Sequence, residues 1–520
     1  MQCNALSLVS WALALTSLTP AISALPLTSR VPPPLSPLSL RQWHWNPYEI
    51  GPALGPRLSK SSSIFGPTDP RWDNATERFE FYSSPHFRLV VQPGTEADVA
   101  TIVHYADTNN IPFYAVNTGH GLTDSQRSFD GIQINLSLLN NVSVSPTGET
   151  ALIQGGTQAG AAIDALWEEG YVTATGGANC PGVLGVGLGG GHGRLEGTHG
   201  LMIDNFVSLN VVLANGTAIT VSDDSHPDLF WAMRGAGHNF GIVTSIEMNI
   251  YPRFEQDWSY HTYTWTEDKI EAVFEELNRF HNNGKHTVDM AINFGNFMLD
   301  DSVNVTEPVL HWTFIYAGSP SSLAPYIEPF EAIPHLASTS GTAPYNRISD
   351  ATGTGSESPL CQRGFTQMHN TVGLRNWNIT ATRAIYDLFA HNVALHPEWS
   401  RSIVTMEDYA HDGVLAVDPD STAYPWRERL LLNFVAIVYE PNAELDEPAI
   451  EWAAQTKDLW NAGQPGLMPS AYVNYANGNE GLEAMYGYEP WRLERLMALK
   501  AQYDPRERFS VYNPIPVGGY

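Results

Sequence analysis

Cysteine is nearly absent: Cys3, Cys180 and Cys361 are the only three in 520 residues. They are too few for a disulfide framework or for a Cys-rich zinc or iron–sulfur site, and no metal is expected. Basic residues are scarce too, 27 Lys and Arg against 55 Asp and Glu, for a formal net charge of −28. Nucleic acid and anionic membrane surfaces would repel such a chain, so neither is expected as a partner. Beyond the N-terminus no run reaches the roughly 18 apolar residues of a membrane span. No helix-opening Gly-x-Gly-x-x-Gly with a downstream acid follows a first strand, and Gly-x-x-x-x-Gly-Lys-Ser/Thr does not occur, so neither a Rossmann site nor a phosphate loop is supported. What is present is bulk. With 43% hydrophobic residues and 15 Trp the chain can bury a large core, which argues against disorder. Its length suggests more than one domain at roughly 100–200 residues each.

The start of the chain reads as an address. An apolar run over residues 6–18, Pro20 and the small residues Ala21, Ser23 and Ala24 predict a signal peptide over residues 1–24, and hence secretion. Sequons at Asn74, Asn135, Asn141, Asn215, Asn304 and Asn378 fit N-glycosylation on that route. Residues 25–78, rich in Pro and Ser, predict an extended arm, with regular structure beginning near Phe79. From there to residue 253, strands and helices alternate with glycine-rich turns. Thr95 with Asp98 predicts a capped helix over residues 95–110, Thr157 a cap for a second one, and Asn215-Gly216 a hairpin. Over residues 254–466 glycine thins out. Alternation predicts strands at residues 258–265, 309–316 and 403–409, while Ile270, Val273, Phe274, Leu277 and Phe280 trace a helical core stripe. Residues 467–520 form a C-terminal segment with a helix from Pro490. The fold class expected is α+β: a cofactor domain, then a mixed or antiparallel sheet covered by helices.

The densest motif is Cys180-Pro181-Gly182-Val183-Leu184-Gly185-Val186-Gly187-Leu188-Gly189-Gly190-Gly191-His192-Gly193. Glycines permit positive φ and let backbone N–H groups converge on a phosphate or approach a flat ring; equally, they make tight turns. His120 sits between Gly119 and Gly121 after a buried strand, as a solvated or capping residue or as a ligand-facing one. Cys180 is either a thiol facing a ligand or a small buried hydrophobe.

Together these stretches resemble the berberine-bridge-enzyme-like, FAD-linked oxidoreductases of the vanillyl-alcohol-oxidase superfamily, in their fungal form. The resemblance runs over residues 83–252 through Val90-Val91-Gln92-Pro93, Gly119-His120-Gly121, the Cys180–Gly193 motif, Asp204-Asn205 and residues 228–244. It continues in Tyr424-Pro425-Trp426-Arg427, Tyr472-Val473-Asn474-Tyr475 and the stretch from Tyr503 to Asn513. It implies a two-part FAD-binding domain of the PCMH type and a flavin bonded to both His120 and Cys180. Asn117, Thr118, Gly119, Gly121, Leu122, Gly185, Gly187, Gly190, Gly191, His192, Gly193, Asp204, Gly241, Ile242, Val243 and Asn513 would complete the cofactor site. Tyr472 would be the base, with Tyr475 as the alternative phenol; Glu407 is either a cooperating carboxylate or a strand-end surface residue.

The activity implied is hydride removal from an alcohol or amine carbon of a small molecule, in secondary-metabolite biosynthesis, with O₂ as acceptor giving H₂O₂. The protein is expected to be a monomer. Three alternatives stay open: a carbohydrate oxidase forming a lactone, with Trp258, Trp265, Trp312 and Trp426 either stacking sugars or forming core; a dehydrogenase feeding a quinone; and a non-catalytic flavin-binding secreted protein.

Overall fold

The computed structural model describes residues 45–518, leaving aside the side chains of residues 304–306. The expected signal peptide, Cys3 and the first part of the arm lie outside the described residues. In the first half, the apolar strand His86–Gln92 runs parallel to Asp130–Asn135, which runs parallel to Phe113–Val116. Parallel strands need a crossover. The helix Glu96–Thr108 supplies one, opened by the expected capping box: Thr95 Oγ1 accepts from the Asp98 N–H, and the Asp98 carboxylate from the Thr95 N–H. A second sheet has the order Val142–Val144, Thr150–Gln154, Ile242–Asn249, Phe206–Val212, Ala218–Ser222, antiparallel throughout. The hairpin expected at Asn215-Gly216 joins its last two strands, with Gly216 at φ +85°.

The second half is a seven-stranded antiparallel sheet in the order Ala337–Ala343, Trp258–Trp265, Asn304–Tyr316, Ile292–Asp300, Ile403–Tyr409, Leu431–Tyr439, Thr366–Leu374. Alternation along the strands gives this sheet two different faces. One packs Trp265, Trp312 and Phe297 against Ile270, Val273, Phe274 and Leu277 of the helix Ile270–His281, with Phe274 and Trp312 edge to face at 5.6 Å. The other, carrying Phe294, Thr313 and Phe434, lines a cavity. The C-terminal segment then crosses back: Asn513 accepts from Thr123 Oγ1 and donates to Val473 O, and the buried Lys500–Asp504 pair anchors Asn239 O and Phe509 O.

Several expectations are corrected. The described part of the arm contains the helix Pro47–Leu54, the strand Ser63–Phe65 on the edge of the first sheet, and the helix Trp72–Thr76. The strand pairs with residues 90–92 and the second helix accepts at Ala75 O from Gln133, partners distant in sequence that periodicity does not report. Thr157 caps nothing; the helix Ala159–Glu168 starts after Gln158, without a side-chain cap. Asn135 is buried, accepts from the Ser137 N–H and donates to Ala75 O, which leaves no room for a glycan, whereas Asn74, Asn141 and Asn215 are exposed. Trp258, Trp265 and Trp312 are fully buried core residues, so none of them can stack a sugar.

Candidate active site

Both glycine turns, the free face of the seven-stranded sheet and the C-terminal segment enclose a mainly apolar cavity of about 980 Å³. The strand Phe113–Val116 delivers Asn117, Thr118, Gly119, His120, Gly121 and Leu122 to its wall. Gly119 turns the chain at φ +75°. The His120 ring stacks on Phe79 at 4.9 Å and its Nδ1 lies 2.9 Å from Thr118 Oγ1. Burial, then the charges of Arg363 and Arg78, lower its pKa to about 3, so at neutral pH it is an uncharged imidazole with a nucleophilic lone pair.

The second turn divides. Cys180, Gly182, Gly185 and His192 reach the cavity, as do Gly241, Ile242 and Val243. Gly187, Gly190, Gly191 and Gly193, expected to cradle the cofactor, are not among the lining residues. Their place is in packing: a Cβ on Gly190 would meet the Tyr424 and Tyr472 rings, and one on Gly193 would collide with Thr175 O. Asp204 is likewise drawn into structure, in a buried two-pronged ion pair with Arg427 at 2.6 and 2.9 Å. Asn513 holds backbone and lies off the cavity wall.

Cys180 is bonded to Cys361 in a disulfide spanning 181 residues, with Cα atoms 5.9 Å apart. A sulfur in that bond cannot also carry a flavin, so the expected second attachment is corrected, and Cys361 is the partner of Cys180. Two residues on, Arg363 donates to Thr118 O at 2.5 Å and to Glu77 O at 3.2 Å. One loop from the sheet half therefore holds both glycine turns. Cys361→Ser is expected to lower stability by about 2–5 kcal/mol, read as a urea midpoint, with reduced wild type falling to the same place. Free thiol at Cys180 and Cys361 in unreduced, denatured protein would sink the pairing.

The Tyr472 oxygen accepts from the Gly191 N–H at 3.0 Å, the His192 N–H at 3.4 Å and Asn474 Nδ2 at 2.7 Å. Three donors match the lone pairs of a phenolate better than those of a phenol. Burial pushes its pKa up to about 12, against the downward pull of those donors. Beside it, at 5.0 Å between rings, Tyr475 donates to Glu407 Oε2 at 3.2 Å, and Tyr409 donates to Oε1 at 3.2 Å. Glu407 is thus no surface carboxylate: it lines the cavity, and burial raises its pKa to about 7. Behind the turn, His192 joins Glu196 to Tyr424, whose hydroxyl lies 2.6 Å from its Nε2. Tyr409, Arg363 and Cys361 were missed from sequence. None sits in a local motif, and only Asn474, inside Tyr-x-Asn, carried a signal.

His238 also lines the cavity, its Nε2 2.8 Å from Gly185 O. Burial lowers its pKa to about 4, below the unfolded value of 6.5, so the unfolded chain takes up the proton first and stability falls as pH drops below 6.5. Between pH 7.5 and 5, wild type is expected to lose about 2 kcal/mol more than His238→Gln. Parallel losses in urea melts would refute this.

The residues present fit a flavin. Among the described residues, His120 Nε2, Asn117 Oδ1, Asn474 Oδ1 and His238 Nδ1 are buried polar atoms without a partner, all in side chains of the cavity wall. Known proteins agree. Residues 87–222 match an FAD binding domain and residues 471–516 the berberine and berberine-like family. The FAD-linked oxidoreductase anuG of Penicillium roqueforti is 51% identical over 470 residues, 90% of this chain and 92% of that one. OXR2 of Pyricularia oryzae, another FAD-linked oxidoreductase, is 46% identical over 92% of this chain and 93% of its own. In fold, Physcomitrella patens BBE-like 1 matches with TM-score 0.76 at 22% identity, over 90% of this chain and all of that one. A glucooligosaccharide oxidase from Acremonium strictum, whose FAD is 6-S-cysteinyl and 8α-N1-histidyl, matches with TM-score 0.76 at 22% identity, over 91% of this chain and 100% of that one. With a cavity built for a flavin and such identity along nearly its whole length, the chain belongs to the berberine-bridge-enzyme-like FAD-linked oxidoreductases.

Proposed function

We propose that the protein is a secreted oxidase that takes a hydride from an alcohol or amine carbon of a small organic molecule and yields hydrogen peroxide, within secondary metabolism. His120 alone would hold FAD covalently, and the flavin so held would supply a two-electron acceptor that O₂ can reoxidise. The observation that carries the reading is the ring of three N–H donors around the Tyr472 oxygen. Tyr472, whose ionised form those three donors favour against the burial that raises its pKa to about 12, takes the hydroxyl or amine proton while the adjacent C–H bond gives up its hydride. Glu407, held by the Tyr475 and Tyr409 hydroxyls, orients the reacting group from the sheet side. Asn117, Thr118 and the turn around His120 hold the cofactor against the opposite wall. Glycans are expected at the exposed Asn74, Asn141 and Asn215.

The test is anaerobic mixing of the purified holoenzyme with benzylic and allylic alcohols, secondary amines and reducing oligosaccharides, following flavin bleaching and then peroxide on admitting air. Bleaching by a small alcohol or amine, with peroxide released, is the expected result. Turnover of oligosaccharides alone would make it a carbohydrate oxidase. Reoxidation by quinone but not by O₂ would make it a dehydrogenase, and no bleaching by any donor would leave a flavin-binding protein.

A further inference from the structure

On the far side of the strand that carries Glu407 lies a second cluster. His281 ends the helix Ile270–His281, and His286 follows a turn in which Gly284 sits at φ +75°. Asp408 belongs to the strand Ile403–Tyr409, and His411 follows just after it. All four are buried. One oxygen, Asp408 Oδ1, lies 3.0 Å from His281 Nδ1, 3.2 Å from His286 Nε2 and 3.3 Å from His411 Nε2.

Hydrogen bonding alone does not explain this arrangement. A carboxylate oxygen has two lone pairs, and three ring nitrogens converge on it. Moreover, the outer nitrogens of two rings face carbonyls: His281 Nε2 is 3.1 Å from Arg375 O and His286 Nδ1 is 3.3 Å from Thr287 O. A carbonyl only accepts, so those outer nitrogens carry the hydrogens. The inner nitrogens of the neutral rings then point lone pairs at a carboxylate oxygen, which is repulsive. Keeping both rings doubly protonated would instead bury two imidazolium ions beside one carboxylate, at a large desolvation cost.

A cation at the centre removes the conflict, since it takes the three nitrogen lone pairs and the carboxylate oxygen together. The four ligand atoms lie within 4.8 Å of one another. Bonds of about 2.0–2.2 Å to a tetrahedral ion need them about 3.4 Å apart, a contraction within reach of side-chain rotation. The outer layer is also in place. Carbonyl-bonded histidines are the usual way a tautomer is fixed for a metal, and Asn293 Nδ2 holds Asp408 Oδ2 at 3.1 Å while Trp312 Nε1 donates to Asn293 Oδ1 at 3.1 Å.

We propose that His281, His286, Asp408 and His411 form a closed, structural Zn²⁺ site that locks the end of the strand bearing Glu407 to the helix Ile270–His281. Three imidazoles and one carboxylate suit zinc, and burial of all four ligands leaves no open position for catalysis. The site does not depend on the oxidase reading.

The test is multi-element mass spectrometry of holoenzyme produced with added zinc and dialysed against metal-free buffer, alongside His286→Asn and the milder His411→Gln. The expected result is about one zinc per chain in wild type and a loss of at least about tenfold in both variants. A strong chelator should then lower the wild-type melting temperature and leave the variants unmoved. Zinc absent from wild type, or retained by both variants, would overturn the site. Copper or nickel in its place would overturn the choice of ion.

Discussion

Tyr472→Phe is expected to slow anaerobic flavin reduction by about 10²–10⁴-fold, while the flavin stays attached. The substitution keeps the ring, and with it the edge-to-face contacts to Tyr475 at 5.0 Å and to His192 at 5.0 Å. It deletes one oxygen. Gly191 N–H, His192 N–H and Asn474 Nδ2 then lose their shared acceptor, and leaving such buried donors unpaired costs about 1–3 kcal/mol of stability. The rate effect should exceed the stability effect because phenylalanine has no oxygen to take the substrate proton, whereas the folded state loses only one shared acceptor. Asn474→Leu, which removes one donor and spares the phenol, should fall between wild type and Tyr472→Phe. If Tyr472→Phe reduces at the wild-type rate, the base is elsewhere, with Tyr475 and Glu407 the next candidates.

His120→Ala should abolish covalent flavin altogether, and Cys180→Ser should leave it attached. Acid precipitation reads this directly: a yellow pellet from wild type and Cys180→Ser, a colourless one from His120→Ala. The asymmetry follows from two neighbouring facts. The His120 imidazole is uncharged and keeps a ring nitrogen without a partner, whereas the Cys180 sulfur is already bonded to Cys361. A flavin mass on the peptide containing Cys180 would mean that the disulfide gives way when the cofactor is in place. Flavin retained covalently in His120→Ala would remove the histidine from the linkage.

Local signals in the sequence proved dependable with one exception, the cap expected at Thr157. The capping box at Thr95, the Asn215-Gly216 hairpin, the strand Trp258–Trp265 and the stripe from Ile270 to Leu277 each need only neighbours within a turn or a strand, and the structure has all four. The family motifs were legible for the same reason, because both glycine turns and Tyr-x-Asn are contiguous. What stayed hidden depends on pairs far apart in the chain. The partner of Cys180 is 181 residues away, and Arg363 reaches Thr118 from the other half of the molecule. The glycines from Gly189 to Gly193 look like a phosphate cradle in one dimension, but their lack of side chains serves the rings of Tyr424 and Tyr472 and the side chain of Met202. Likewise, Trp265 and Trp312, suited by composition to stacking a sugar, are spent on the covered face of the sheet, and Trp258 is buried against Tyr345.

The Cys180–Cys361 link makes the history of a preparation part of its chemistry. Protein made in a reducing cytosol, or purified with a thiol reagent, would present Cys180 as a free nucleophile on the cavity wall, beside the place where the flavin is expected. The same polypeptide exported through an oxidising compartment would have that sulfur retired. Two samples identical in sequence could then differ in the number of bonds to their cofactor, and so in redox potential and colour, which makes the host and the buffer the first things to match before comparing rates between laboratories.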